Sequence, residues 1–338
     1  QINGPIGYQN WKDYCADLKD TDLYSWLMDK SLAITGEDGG VYGIPYVVEG
    51  YGIIYNDAIM QKYFALDGAK AASMDEINNF AKLKEVVEDM QAKKDELGIE
   101  GVFASTSLTP GEDWRWQTHL ANIPVYYEFK DKGITDTDNL EFTYSDNFKN
   151  IFDLYINNSA TKPADLATAT GDQAESEFGT GKAAFYQNGT WEYAGLVEAG
   201  LKPEDLAMIP IYCGVEGEEQ SGLCCGTENC WAVNKNAKEE DIQATLDFMK
   251  WVVTSDEGTT MLAEQFGPCR FKNAKTPENV FFADANAYTT AGNYIVTWAF
   301  NWTPAVDDWR AGVVDALTQY TVNGGSWDNV KTAFVDGW

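Results

Sequence analysis

The chain reads as an α/β protein of two interleaved lobes, and three observations predict this. Its 338 residues set a length prior of about two domains. Short β-branched and aromatic runs alternate with amphipathic segments at helical spacing, the pattern of layered strands and helices. No long linker, internal repeat or low-complexity tract parts one half from the other, so two lobes have to share the chain by crossing back and forth.

Taken in order, Asp22 to Lys30 is a short amphipathic segment with Leu23, Trp26 and Leu27 on one side. Gly36 to Gly40 is a turn. Val41 to Glu49 and Gly50 to Asn56 read as two strands with a Glu-Gly break between them. Ser73 as N-cap and Glu76 as its capping-box partner open a helix from about Met74 to Glu96, closed by Gly98. A short strand follows at Gly101 to Ala104, then a helix start at Trp114 to Ala121 and helices over Asn147 to Asn157 and Asp172 to Phe178. Lys182 to Tyr186 is a buried strand that closes on Gln187-Asn188-Gly189, with a helix starting near Thr190. Strands at Leu206 to Ile211 and Trp231 to Asn234 precede helices at Glu239 to Val253, Asp256 to Phe266, Trp309 to Gln319 and Trp327 to Phe334.

Composition narrows the function classes. Lys plus Arg is 24 against 53 Asp plus Glu, a net charge of −29. So negative a surface repels phosphate backbones and anionic headgroups, which excludes nucleic acid as the expected partner and leaves neutral ligands unhindered. Acidity of this kind also serves solubility alone. No stretch approaches 18 consecutive apolar residues, so no transmembrane helix is expected. Gln1-Ile2-Asn3-Gly4 reads like a mid-protein segment, and the expected mature start, with any lipid attachment, lies outside it. The cysteines Cys15, Cys213, Cys224, Cys225, Cys230 and Cys269 match no zinc ribbon or redox pair. Cys213 and Cys224/Cys225 flank an acidic Gly-rich turn that a disulfide could close, but free buried thiols are the expectation.

Aromatic residues carry the functional signal. There are 12 Trp, 18 Tyr and 16 Phe, and the tryptophans recur beside glycines, carboxylates and amides: Asp113-Trp114-Arg115-Trp116, Asn188-Gly189-Thr190-Trp191, Trp298-Ala299-Phe300-Asn301-Trp302 and Asp307-Asp308-Trp309. A flat ring with polar neighbours suits a sugar: the pyranose C–H face lies on the ring while carboxylates and amides take the hydroxyls. Each stacked ring is worth about 0.5–1.5 kcal/mol beyond area burial, on the scale of aromatic pairs.

The order of motifs resembles the extracellular solute-binding proteins of ABC importers, the type related to maltose-binding protein. Gly40-Val-Tyr-Gly-Ile-Pro-Tyr46 followed by Gly52-Ile-Ile-Tyr-Asn-Asp57 is similar to the family's paired strand motifs, with Asp57 where a Lys is common. Glu177-Phe-Gly-Thr-Gly-Lys-Ala-Ala184 leading to Asn188-Gly-Thr-Trp191 resembles its G-K-A-A and G-x-W block, and Trp231-Ala-Val-Asn234 with Ala244 to Gly258 resembles its late helix pair. The likeness runs from about residue 20 to the C-terminus. The resemblance implies a two-lobed periplasmic-binding-protein-like fold, each lobe a mixed sheet flanked by helices, with the ligand cleft between the lobes. It also implies that a strand, a helix and a second strand of the N-terminal lobe should precede Tyr42 at greater length than this chain provides. The expected division is 1–48 plus 229–295 for the N-terminal lobe and 49–228 plus 296–338 for the C-terminal lobe. Crossings are expected near Glu49, near Gly226 to Asn229, and between Tyr294 and Pro304.

The resemblance supplies the ligand residues. Trp191, at a strand-to-helix turn, matches the family's stacking tryptophan, and Trp309 matches an aromatic ligand position. The loop Glu112-Asp113-Trp114-Arg115-Trp116 corresponds to one that supplies an aromatic and an acid. Glu49 matches a ligand carboxylate, with Glu228, Asn229, Trp298, Asn301 and Trp302 as further candidates near the crossings. Each has a packing or hinge alternative. His119, the only histidine, is either structural or a single hydroxyl partner, and one histidine builds neither a His-rich metal site nor a hydrolytic triad. The acidic runs Asp131 to Asn139 and Asp172 to Glu177 lack calcium-loop spacing, so no metal and no cofactor is expected.

The expected function is reversible capture of a mono- or oligosaccharide by lobe closure. The protein is expected to be a monomer held at the outer face of the cell membrane by an N-terminal lipid, and to deliver ligand to the transmembrane subunits of an ABC permease. Two other readings remain open on the residues alone. A glycoside hydrolase needs two cleft carboxylates, and no motif here positions a pair. A polyamine binder would use the same aromatic and acidic groups through cation–π contacts. Only Arg115 and Arg310 lie near the proposed site, which argues against an anion.

Overall fold

The computed structural model describes residues 1–267 and 270–338. Among the described residues ten strands form two sheets: β1 (Ile2–Asn3), β2 (Ile34–Thr35), β3 (Val41–Pro45), β4 (Glu49–Asn56), β5 (Gly101–Phe103), β6 (Ala183–Gly189), β7 (Leu206–Ile209), β8 (Ser221–Gly226), β9 (Asn229–Trp231) and β10 (Tyr294–Thr297). The smaller sheet runs β1-β9-β3-β2, all antiparallel. The larger runs β10-β8-β4-β6-β5, with β7 beside the far half of β4. Its outer pairs, β10 with β8 and β5 with β6, are parallel and its inner pairs antiparallel, so it is a mixed sheet.

Strand β4 organises the large lobe. Its first residues pair with β8 (Glu49 opposite Gly226), its last with β7 (Asn56 opposite Leu206), and its other edge takes β6 over Tyr51 to Tyr55. A strand buried on both faces and both edges reads as a continuous apolar run, which is why Gly50 to Tyr55 carries no alternation. One face packs on helices Phe80–Ala92, Ser145–Asn157, Val306–Asn323 and Trp327–Gly337 through Val86, Phe148, Val313 and Phe334. The other packs on helices Gly171–Gly179 and Val280–Thr290 through Phe178 and Phe281. The small lobe has its own core of Leu18, Leu23, Val41, Ile44, Val253 and Leu262 against helices Glu239–Thr254 and Asp256–Gln265. The expected two-lobed α/β architecture is what the chain adopts, but a mixed sheet was expected in each lobe and only the large one has it; every pair in the small sheet is antiparallel.

Several boundaries differ from the sequence expectation. The helix expected from Met74 begins at Phe80, because Asn79 rather than Ser73 provides the cap: its Oδ1 accepts the Lys82 amide at 2.9 Å, while Ser73 makes no side-chain cap bond. The buried Glu218 carboxylate accepts the Phe80 amide at 2.7 Å and fixes that start. The strand expected at Trp231 to Asn234 lies at Asn229–Trp231, where β1 and β3 flank it. The lobes do not part at residue 295 either. Strand β10 pairs with β8 and helix Val280–Thr290 packs on the large sheet, so the third crossing is at 272–279, after Phe271 bridges to Leu27 in the small lobe. Cys15, Cys213, Cys224, Cys225 and Cys230 are free thiols, so no disulfide closes the 214–222 turn; Cys269 lies outside the described residues. No helix is long and apolar enough to cross a membrane among the described residues.

Gly52 marks how tightly the sheet is built. A Cβ there would overlap the Ile209 carbonyl oxygen in the neighbouring strand. Gly52→Ala should therefore lower stability by about 1–3 kcal/mol, read as a fall in the urea midpoint, whereas an unchanged midpoint would show that β4 and β7 are not locked in this register.

Candidate functional site

Strand β6 ends at Gly189, and the chain turns there into the short segment Thr190–Glu192. The indole of Trp191 folds back over Gly189 so closely that a Cβ at that position would meet its six-membered ring. Its Nε1 donates to Asn188 Oδ1 at 2.9 Å, which fixes the ring plane. Trp114 approaches from the loop before the π-helical turn Arg115–Leu120, with its ring centroid 5.9 Å from that of Trp191. Both indoles are half-buried. Behind them stands His119, 6% exposed, with its ring flat on Tyr51 at 4.0 Å, edge-on to Trp114 at 4.9 Å and 5.3 Å from Trp191. Phe300 and Trp298, stacked at 5.3 Å, continue this aromatic surface to the third element of the site, the turn Ala299–Trp302.

Carboxylates and amides lie on the crossings beside it. Glu49 opens β4, and Asn229 on the second crossing donates to its Oε2 at 3.4 Å. Glu228 accepts from Asn3 Nδ2 at 3.3 Å, and its backbone carbonyl accepts the Gly4 amide at 2.9 Å. Asn301 Nδ2 donates to the Thr227 carbonyl at 3.0 Å. Burial pushes the Glu49 carboxyl up to about 7, against the Asn229 hydrogen bond and with help from the charge of Glu228. Burial also raises Glu228, opposed by the nearby Arg310 guanidinium. The third crossing joins the same place: Asn279 Nδ2 donates to the Thr190 carbonyl at 2.7 Å, next to Trp191.

The structure therefore brings together Trp114, Trp191, Glu49, Glu228, Asn229 and Asn301, with Trp302 at the end of the same turn, while Trp298, 6% exposed, is buried beneath them in the core of the large lobe. It separates the others. Trp116, 0% exposed, packs on Phe152 and Tyr155 and donates to the Thr106 carbonyl. Trp309, 2% exposed, packs on Phe334 and Trp338 and donates to the Phe334 carbonyl. Both are core residues, because the helix start that was expected to point each indole into a cleft turns it toward the Phe-rich interior instead. Glu112 accepts the Gly171 amide and so clasps its loop to the next helix, and Asp113 is buried, which raises its carboxyl.

Other residues join the site that sequence reasoning passed over. Arg310 lies near enough to Glu228 and His119 to act on both carboxyl and imidazole, and 5.9 Å over Phe300. Glu192, beside Trp191, is pushed up to about 6 by burial against the Arg115 charge. On the small lobe Tyr46 stacks on Trp231 at 5.0 Å with Phe266 edge-on at 5.8 Å, and the two stacked rings sit directly on the first and second crossings. Their position beside Glu49 and Asn229 was the available signal. A cavity of about 1000 Å³ lies along the open face of the small sheet, lined by Tyr8, Ile34, Asp38 and Cys230 and reached by Asn301 and Trp302. It excludes Trp114 and Trp191, so it adjoins the candidate site without coinciding with it. Among the described residues no group of three His, Cys, Asp or Glu could hold a metal ion.

Two lobes, three crossings and a half-buried aromatic and carboxylate surface where the crossings meet define a ligand-binding protein of the cleft type. The chain belongs to the bacterial extracellular solute-binding protein family, which matches residues 1–290. It is thus a binding protein for transport and not an enzyme. A comparison with curated proteins returned no match. Among solved structures it is similar to a chitin-oligosaccharide-binding protein (TM-score 0.72, 15% identity, 98% of this chain and 80% of that one). It is similar also to the binding protein RafE in complex with raffinose (0.69, 16%, 98% and 83%). A third is a sugar transporter protein from Bacillus licheniformis in complex with stachyose (0.68, 19%, 98% and 82%).

The Glu49 carboxyl makes stability depend on pH. Its folded value of about 7 stands above the ordinary 4.5, so its contribution is fully present below 4.5 and is lost as pH rises through 7. Glu49→Gln should match the parent near pH 4.5 and exceed it at pH 8 by about 2–3 kcal/mol. Thermal melts across that range test this, and parallel curves for the two proteins would contradict it.

Proposed function

We propose that this protein captures a mono- or oligosaccharide between its lobes and presents it to the transmembrane subunits of an ABC importer at the outer face of the cell membrane, acting as a monomer. The observation that carries the reading is the angled pair Trp114 and Trp191, half-buried and backed by His119 and Tyr51, beside hydrogen-bonding groups on all three crossings. Indole faces take pyranose C–H groups, and the carboxyl and amide groups of Glu49, Glu228, Asn229 and Asn301 take hydroxyls. The charge balance suits a neutral ligand: Arg310 offsets Glu228, and Glu49 is only partly ionised near neutral pH. A polyamine would instead want both carboxylates bare of a cation. Tyr46 and Trp231 supply the opposing aromatic wall on the small lobe, and the ligand binds the closed arrangement of the lobes better than the open one. The similar proteins that bind chitin oligosaccharide, raffinose and stachyose support a saccharide class without choosing among saccharides.

A thermal-shift panel of chitin oligosaccharides, raffinose, stachyose and spermidine identifies the ligand, since a ligand of the native state raises the melting temperature. Calorimetry with the stabilising saccharide should then show Trp191→Ala weakened by about 2 kcal/mol or more, and Trp309→Phe within about twofold of the parent. Stabilisation by spermidine alone, or equal affinities for Trp191→Ala and the parent, would overturn the reading.

A further inference from the structure

The chain has one histidine, and it stands at the centre of the aromatic surface rather than at its edge. Four rings surround it: Tyr51 face to face at 4.0 Å, Trp114 at 4.9 Å, Trp191 at 5.3 Å and Phe300 at 6.5 Å. Packing alone would be met by a phenylalanine there. The imidazole instead brings a polar edge to a place where 94% of the residue is out of solvent, and its Nδ1 has no hydrogen-bond partner among the described residues. An unpaired buried polar atom is costly to keep out of water, so a fold that keeps one among the rings of Trp114 and Trp191 has a use for it. The backbone points the same way. His119 lies in a π-helical turn, Arg115–Leu120, between Trp114 and the α-helix Ala121–Lys132. Such turns are rare, form at some cost, and collect at functional sites. This one sets Trp114 and His119 against each other, and Tyr51 anchors it by donating to the His119 carbonyl at 3.1 Å.

Resting on the carbohydrate reading above, we propose that His119 is the polar floor of the ligand site, with its free ring nitrogen hydrogen-bonded to a hydroxyl of the saccharide ring that lies against Trp114 and Trp191. The chemistry matches. Burial, with the charges of Arg115 and Arg310 beside it, holds the imidazole neutral, well below its usual titration range. A neutral imidazole donates from one nitrogen and accepts at the other, and a hydroxyl does both from one oxygen. The pair is complementary whichever nitrogen carries the proton, and it discriminates against a ligand that presents only C–H groups at that point.

The single histidine makes the test direct. Protein labelled with 15N in its histidine ring gives signals from His119 alone. The probes are chitin oligosaccharides, raffinose and stachyose, with binding established independently by calorimetry. The expected result is a shift of a ring-nitrogen resonance at saturation, with His119→Phe losing tenfold or more in affinity and His119→Asn, whose amide replaces the Nδ1 edge, recovering part of it. A saccharide that binds calorimetrically while both ring nitrogens stay unmoved overturns the role of His119 and leaves the carbohydrate reading standing. Failure of every saccharide in the set to bind overturns both. Should His119→Phe not fold, the resonance of the parent protein decides alone.

Discussion

Everything in the site depends on how the strand that carries Trp191 ends. A tryptophan at the tip of a buried strand would ordinarily turn inward, where burial of a large ring is most favourable. Here the last strand residue is a glycine, and the indole lies over it with Nε1 held by Asn188. The ring is thereby fixed at the rim of the large lobe in one orientation, with part of its surface left exposed. A rigid, oriented and partly desolvated ring is what ligand stacking requires, because little conformational freedom is left to lose on binding. Trp114 and His119 are placed against that ring by a second unusual backbone feature, the π-helical turn, so two local irregularities in otherwise regular elements meet at one spot.

The same spot is where the two lobes are joined. Glu49 opens the central strand, Asn229 and Glu228 follow its neighbour across the boundary, and Asn279 on the third crossing bonds beside Trp191. In the proposed reading, hinge backbone and ligand groups are therefore nearly the same residues. A ligand that bonds to Glu49 or Asn229 acts directly on the segments whose φ and ψ angles must change as the lobes move. Burial of two carboxyls at this boundary is unfavourable for the empty protein, and it leaves groups whose hydrogen-bonding capacity is not exhausted by their neighbours.

Much of the fold could be read from the sequence, and for identifiable reasons. The apolar run Gly50 to Tyr55 reads as a doubly covered strand because it is one, and helices with strong amphipathic spacing, such as Ser145–Asn157 and Glu239–Thr254, fell within a residue or two of expectation. The first two crossings were marked by glycine and polar residues between strands. The third was placed some twenty residues late, because Tyr294 to Thr297 reads as a free connecting strand and only its parallel pairing with β8 assigns it to the large sheet. Long-range pairing of that kind leaves no local trace.

The site was half legible for a related reason. Composition says that tryptophans lie beside polar residues, but not which way the helix under each one faces. Trp116 and Trp309 have the same kind of neighbours as Trp114 and Trp191, and tertiary packing turned them into the core. His119 was read as either structural or a single hydroxyl partner, but its central place was not legible, since a lone histidine carries no spacing pattern to read. Saturation-transfer NMR offers the most direct test of the central claim, that a sugar ring lies on the Trp114–Trp191 surface. With the stabilising saccharide in excess, irradiation of the protein aromatic protons should pass magnetisation most strongly to the C–H protons of one pyranose face, and the Trp191→Ala protein should lose that selectivity. Uniform or absent transfer to a saccharide that nonetheless binds would contradict the account.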